Sequence, residues 1–474
     1  MKKIGFILFI ATTLLIGMGS YGVSHALDTP KQDPLIEILI KKGILTQEEA
    51  RELVSEMQRE RGRQKAEIKQ VAAEAVQEEA QTSKVKLPKW VERIDLSGDL
   101  RLRHDTQWRT EKKPGKDEDK YHRNRERFRL RLGMKAKTTE TTEVGVRLAS
   151  GSGFQNTTNQ SFDEHARGTE IFIDRAYASW KPSDWLKLSG GKHKNPLFTT
   201  PLVWDPDVNP EGISESLKFD ITDGIEIFAN LGQWFIEELN VKDTNSDPTL
   251  LAYQLGSVIK PTEKIKLEFA LAYYDYLNLD TIGWEDGVLK DNTEFLGYNQ
   301  QHSQQMIVDS NGKLLNEFRC WELGAKLDVK KVLPLPFSVF GSYIQNADAD
   351  IDELIEKGVD PGDSDPADLE AYSGDDRDSG WILGVSVGNK KKKGDWYAKY
   401  FYQELEDYAF PAVFVDSDFH GGGTNNKGHY INGRYFLRDN IQASATAFFT
   451  EREDERKDGK KDEDRIQLDM VISF

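Results

Sequence analysis

The stretch RERFRLRLGMKAK, residues 125–137, decides the fold. Taken in steps of two, Phe128, Leu130, Leu132, Met134 and Ala136 fall on one side of an extended strand. Arg127, Arg129, Arg131, Lys135 and Lys137 fall on the other. Three consecutive arginines on one face cannot sit in the dry core of a small sandwich without partners. A water-filled lumen accommodates them, and the apolar face then meets lipid.

The end of the chain repeats the pattern. In RIQLDMVISF, residues 465–474, Ile466, Leu468, Met470, Ile472 and Phe474 alternate with Arg465, Gln467, Asp469, Val471 and Ser473. If the sheet closes on itself, this last strand pairs with the first, DLSGDLRLRH (95–104), and leaves no edge unpaired in lipid. Between them the period-two pattern marks strands near 94–103, 123–137, 142–150, 170–181, 185–192, 213–220, 224–232, 250–260, 264–274, 318–329, 335–344, 380–389, 395–403, 427–438, 440–450 and 463–474. That is about sixteen, an even number of suitable length for tilted membrane strands.

The connections alternate in length. Tight polar turns (TTETTE, KPSD, DITD, PTE, KKVLP, NKKKKGD and RD) follow every second strand, and long loops at 104–122, 151–169, 193–212, 275–317 and 345–379 follow the others. A barrel whose two rims face different compartments requires that rhythm, with the turns in the periplasm. Trp180 and Trp185 flank one short turn and Trp396 follows another, where an interfacial aromatic girdle is expected.

The beginning of the chain reads differently. MKKIGFILFIATTLLIGMGSYGVSHALD carries two lysines, an apolar run and small residues at Ser24 and Ala26, so 1–26 is read as a signal peptide. Residues 33–82 read as a helical periplasmic segment: Thr46 and Glu49 have capping-box spacing. Ala50, Leu53, Val54 and Met57 form an apolar stripe that Ile68, Val71, Ala75 and Val76 resume, a coiled-coil pattern that could oligomerise or tether. The barrel itself is placed at 94–474.

Charge and cysteine content narrow the function classes. The formal net charge is −17, and the loss of Lys2 and Lys3 with the leader takes it to −19. That sign argues against nucleic acid as partner. Cys320 is the single cysteine, so no intrachain disulfide can form. Mean hydropathy is −0.61, which a membrane barrel tolerates because only alternate residues meet lipid.

At LFTTPLVWDPDVNPEG (197–212), with GKHKNP before it and IDRAYASWKP upstream, the sequence resembles the "putative porin" family of Gram-negative outer membranes; LIEILIKKGILTQEEAREL is similar to the helical segment that precedes the barrel in that family. The resemblance implies a pore-forming barrel in the outer membrane, assembled as a homotrimer, with the third long loop folded inward. No cofactor is expected.

In such a channel, small solutes and ions in transit are screened by the charges at its narrowest point. Arg101, Arg103, Arg127, Arg129, Arg131, Lys135, Arg147, Arg175 and Lys187 are the candidate basic wall, and Asp205, Asp207 and Glu211 the candidate acids of the inward loop. The alternative is an anchor whose N-terminal helix contacts the cell wall.

Catalysis finds no motif: there is no HExxH or GxSxG, and the histidines are scattered, mostly in or beside the proposed loops. The acidic stretch 347–380 reads as a solvated loop, with surface cation binding as the sharper alternative. It is no EF-hand, since with Asp348, Asp350 and Asp352 as first ligands, Glu353 takes the glycine position and Val359 the final glutamate position. No metal site is assigned. Lys390 to Lys393 read as a solvated turn, with a nucleotide or lipid patch as the alternative.

Overall fold

The computed structural model describes residues 42–63, apart from 45, 50, 54, 58 and 61–62, and residues 93–474. Within the second range it omits 114, 152, 163–164, 166–167, 239–246, 280–283, 286–287, 290–316, 331–333, 350–375 and 456–458. The expected signal peptide at 1–26, most of the 33–82 segment and most of the acidic stretch 347–380 lie outside the described residues. Two units, Met1–Leu87 and Pro88–Phe474, are described separately.

In the first unit a helix runs through the described positions from 47 onward. Thr46 and Glu49 close its start as a capping box. The Thr46 backbone N–H donates to Glu49 Oε2 at 2.8 Å, and the Glu49 N–H donates to Thr46 Oγ1 at 3.3 Å. Leu53 and Met57 of the apolar stripe are exposed, so the described residues show a short helix and give no support to a coiled coil.

The second unit is a closed antiparallel barrel of sixteen long strands. They are β1 (Ile94–Lys112), β2 (Asp119–Lys137), β3 (Thr142–Ser150), β4 (Ile171–Ser183), β5 (Leu186–Lys192), β6 (Glu211–Thr222), β7 (Ile225–Phe235), β8 (Thr249–Thr262), β9 (Ile265–Leu277), β10 (Phe318–Val329), β11 (Phe337–Asn346), β12 (Ser379–Gly388), β13 (Trp396–Leu405), β14 (Asn426–Arg438), β15 (Ile441–Arg452) and β16 (Lys460–Ser473). Each pairs with its neighbours in sequence, and β1 pairs with β16 from Asp99↔Ser473 to Lys112↔Lys460. At that seam the Gly98 N–H donates to the Phe474 carbonyl at 2.7 Å, and the Phe474 N–H donates back at 3.0 Å. A Cβ on Gly98 would come within 2.6 Å of the Phe474 ring, so the glycine is what lets the terminal aromatic lie flat across the seam.

The stretch 104–122, read from sequence as a loop, is a correction. β1 and β2 continue through it as a paired hairpin, Asp105↔Arg125 and Arg109↔Tyr121 among its rungs, and only 113–118 turns. Beyond the apolar band both faces of this hairpin carry mostly polar side chains, so alternation fades while the backbone ladder goes on.

Parity assigns the faces. Leu132, Met134, Val144, Leu255, Leu271, Leu323, Leu383 and Ile431 are exposed apolar residues on the outside, which a soluble surface would not carry as a continuous band. Trp180, Trp185 and Trp396 lie near the short-turn rim at 50%, 46% and 44% exposure, as expected of a girdle. Tyr253, Tyr273 and Trp321 stack side by side toward the other rim.

The inner face is not uniform. On β7 to β13 it is largely apolar: Trp234, Leu250, Tyr274, Phe318, Ile344, Ile382, Phe401 and Leu405 are all buried. Two long connections, 193–210 and 406–425, fold against that wall and supply Leu202, Val203, Trp204, Phe410 and Phe419 to one continuous core inside the barrel. Trp204 meets Trp234, Tyr274 and Phe410 edge-on at centroid distances of 5.9, 5.8 and 5.3 Å. The polar half of the lumen is left on the β14–β16 and β1–β4 side.

Candidate functional site: the charged half of the lumen

The inward loop 193–210 is tied to the apolar wall at Phe198 and Thr200. The Phe198 N–H donates to Gln254 Oε1 on β8 at 2.8 Å, and Thr200 Oγ1 lies 2.6 Å from Ser342 Oγ on β11. Further along, the Asp205 N–H donates to the Phe414 carbonyl at 2.8 Å, joining this loop to 406–425. That second loop was missed in the sequence, although its apolar content, DYAFPAVFVDSDF, is out of place for a segment facing water.

Opposite the loops, β1 and β2 set arginines in facing pairs, Arg101↔Arg129 and Arg103↔Arg127, with Asp99↔Arg131 and Asp105↔Arg125 on either side. Like charges directly across a ladder repel, so acids from elsewhere must hold them. Arg103 donates from Nε and Nη2 to both oxygens of Asp469 at 2.7 and 3.0 Å, and from Nη1 to Asp418 at 2.7 Å. Arg465 grips Asp105 with two bonds of 2.8 Å and reaches Asp418 at 3.0 Å. Arg129 donates to Asp99 at 2.6 Å. Arg131 donates to Asp99 at 2.8 Å and to Asp207 at 3.3 Å. Fork-to-carboxylate geometry of this kind fixes guanidinium positions as well as charge. Asp418 is therefore a clasp: one loop carboxylate bonded to β1 and β16 together.

Among the described residues Arg101, Arg127 and Arg434 have no acid partner. Arg101 donates to the Asn159 side-chain oxygen, Arg434 on β14 donates to Asn432 at 2.8 Å, and Arg127 has neither. Arg101, Arg103, Arg129 and Arg131 line a cavity of about 350 Å³ with Asp205, Asp207, Asp416, Asp418 and Arg434. The two loop acids without a cation are Asp205 and Asp416. Asp205 accepts only backbone N–H groups, from Asp207 at 2.7 Å and Ser417 at 3.3 Å. Burial, and then the charges of Asp416 and Asp207, hold its carboxyl well above the usual carboxylate range. Asp416 is pushed up to about 6, by burial first and Asp418 second. Burial alone would raise Asp418 too, but Arg465 and Arg103 hold it well below.

The remaining sequence candidates are placed as follows. Lys135, Arg147 and Arg175 line a second cavity of about 260 Å³ together with Arg131. A bulge between β3 and β4 turns both Asp174 and Arg175 to the lumen side. Arg147 then bonds Asp174, while Arg175 donates to Asn209 of the inward loop at 2.7 Å. Lys187 faces Ser216 across β5 and β6 and lines neither cavity. Glu211 is a correction: it is the first residue of β6, not part of the inward loop, and pairs at the surface with Lys192 at 2.6 Å. Asp416, Asp418, Arg434, Arg465 and Asp469 join the site without having been singled out. Among the described residues no group of His, Cys, Asp and Glu is arranged to hold a metal ion.

A closed sheet with an apolar outer band, a charged inner wall and loops packed inside it defines a channel-type β-barrel of the outer membrane. The model of the family described as "Putative porin" matches residues 109–306 and 288–474, and the chain belongs to that family. Two solved structures are among those similar to the chain. Salmonella typhi OmpF in complex with daunomycin is 11% identical, with 80% of this chain and 97% of that chain covered and a TM-score of 0.44. Pseudomonas putida OprB at high pH is 10% identical, with coverages of 81% and 96% and a TM-score of 0.47. No curated protein matches the chain by sequence.

Proposed function

We infer that the protein is a passive diffusion channel for small hydrophilic solutes and ions whose selectivity is set at the 350 Å³ cavity, with a preference for anions. The observation that carries this reading is the imbalance of partners there. Arg101 and Arg434 line the cavity with no acid partner among the described residues, while of the two acids there without a cation Asp205 is held well above the usual carboxylate range by burial and Asp416 is pushed up to about 6. Most of the chain's acidity lies outside this cavity, and charges beyond about 8 Å are screened at physiological salt, so the −17 total does not decide selectivity.

The basic wall extends toward the turn rim through Lys135, Arg147 and Arg175, which would draw anions along one side of the lumen. The inward loops narrow the path from the other side. The experiment is ion flux: protein reconstituted in liposomes should dissipate a chloride gradient without an energy source, and folded protein that leaves the gradient intact would refute the reading. Homotrimeric assembly in the outer membrane, with the 33–82 segment on the periplasmic side, is part of the same proposal. Mass measurement of the detergent-extracted protein tests it, and a monomer would remove that part.

A further inference from the structure

A third cavity, of about 750 Å³, opens at the short-turn rim on the side of the barrel away from the arginine wall. Six lysines line it: Lys326 on β10, Lys330 just after it, Lys390, Lys391 and Lys392 in the turn between β12 and β13, and Lys399 on β13. Only two acids line it, Asp328 and Asp395, leaving a net charge of +4 on the lining.

Both acids are already engaged. Asp328 pairs with Lys326 at 3.2 Å. Asp395 accepts the backbone N–H groups of Lys391 and Lys392 at 3.0 and 2.9 Å, so it shapes the turn. The other five lysines have no acid partner among the described residues. Two are positioned by aromatic rings: Lys399 Nζ lies 4.8 Å from the Phe340 ring centroid and 5.1 Å from that of Phe401, and Lys390 Nζ lies 4.9 Å from that of Tyr397. Lys330, Lys390, Lys391 and Lys392 are exposed and Lys399 is half-buried, and five like charges around one concavity repel unless an anion joins them.

We propose that this vestibule is a binding site for soluble multivalent phosphate anions, oligophosphates or phosphate esters, entering from or leaving to the periplasmic side. Lysine ammonium groups suit such ligands as point charges with rotatable donors, and the number of lysines matches several phosphate oxygens better than a single monovalent ion. The lining comes from the inner faces of β10 to β13 and from Phe198 to Pro201 of the inward loop, which separates the site from lipid headgroups outside. The inference extends the channel reading, because the site opens onto the same lumen.

The test uses the full-length protein in a planar bilayer, with tripolyphosphate added to one side at a time. The wild type should show a concentration-dependent block stronger from the turn side. The triple variant Lys390→Gln, Lys391→Gln, Lys392→Gln should need about tenfold more for the same block. Lys391 and Lys392 hold the turn through backbone N–H groups and Lys390 adds one ring contact with Tyr397, so the variant should fold and still conduct in potassium chloride. Equal block in wild type and variant overturns the proposal, as does block lost on Arg101→Glu and kept in the lysine variant. Calorimetric titration of tripolyphosphate into detergent-solubilised protein separates the two claims: binding without current would spare the vestibule and sink the channel, and current without binding would do the reverse.

Discussion

Arg101→Glu is the sharpest perturbation of the proposed selectivity. Arg101 lines the central cavity, lacks an acid partner among the described residues and faces Arg129 across the β1–β2 ladder. The change alters local charge by two units, and the new carboxylate would lie beside Arg129 and Arg103, so the fold should hold. For an ion passing at about 5 Å in water, each unit is worth ~0.8 kcal/mol. Screening over a Debye length of about 8 Å reduces that to ~0.45 kcal/mol. Two units then make ~0.9 kcal/mol, or about four- to fivefold in the local concentration of each permeant ion. Because chloride is disfavoured and potassium favoured, the permeability ratio should move by about twentyfold toward cations. Arg101→Gln should move it by the square root of that. The assay is the reversal potential under a potassium chloride gradient, and a ratio that stays within about twofold of wild type would refute the placement of Arg101 at the selective cavity.

Three further outcomes follow from the geometry. Lowering the pH from 7.5 to 5 protonates Asp416, whose carboxyl is pushed up to about 6 by burial and by Asp418. A carboxyl with a raised value loses its negative charge as pH falls, so anion preference should rise over that window. Asp416→Asn should flatten the profile, and a profile flat in the wild type would count against it. Trp204→Ala removes the ring that meets Trp234, Tyr274 and Phe410, at a cost of ~3–5 kcal/mol to the core that holds both inward loops. Single-channel records should show larger and noisier conductance, whereas unchanged records would mean that the loops do not define the bore. Gly98→Val places side-chain atoms where the Phe474 ring lies, and the yield of folded barrel, read by electrophoretic migration without heating, should fall. Normal yield would show that the seam tolerates displacement of the ring.

The strands were legible wherever one face meets lipid and the other water, because that contrast writes period two into the sequence. RERFRLRLGMKAK and RIQLDMVISF are the clearest cases, and their pairing partners follow from closure. Legibility failed where the contrast vanishes. In 104–112 and 119–122 both faces carry mostly polar residues, so a strand pair looks like a loop. Along β7 to β13 both faces are apolar, as in LLAYQLGSVI, because loops rather than water cover the inside; the strands themselves were still legible there, but the apolar inner wall was not.

The arginines of β1 and β2 could be named because they alternate. Their acid partners Asp418 and Asp469, and the Arg465 that holds Asp105, could not, since nothing local says that residues more than 300 positions away will face them. Glu211 was misplaced by one structural step. It begins the strand that follows the loop, and there it meets Lys192 instead of the cavity. The loop 406–425 did carry a signal, a run of aromatic and aliphatic residues on the side of the barrel where connections should be polar, and that rule can be applied to other barrels.

The most direct test is the current carried by purified, detergent-extracted protein inserted in a planar bilayer under a salt gradient. The structure predicts a stable conductance with a reversal potential on the anion-selective side at neutral pH. Folded barrels that insert and pass no current would contradict the channel, and a clear cation preference would contradict the assignment of selectivity to the partnerless arginines.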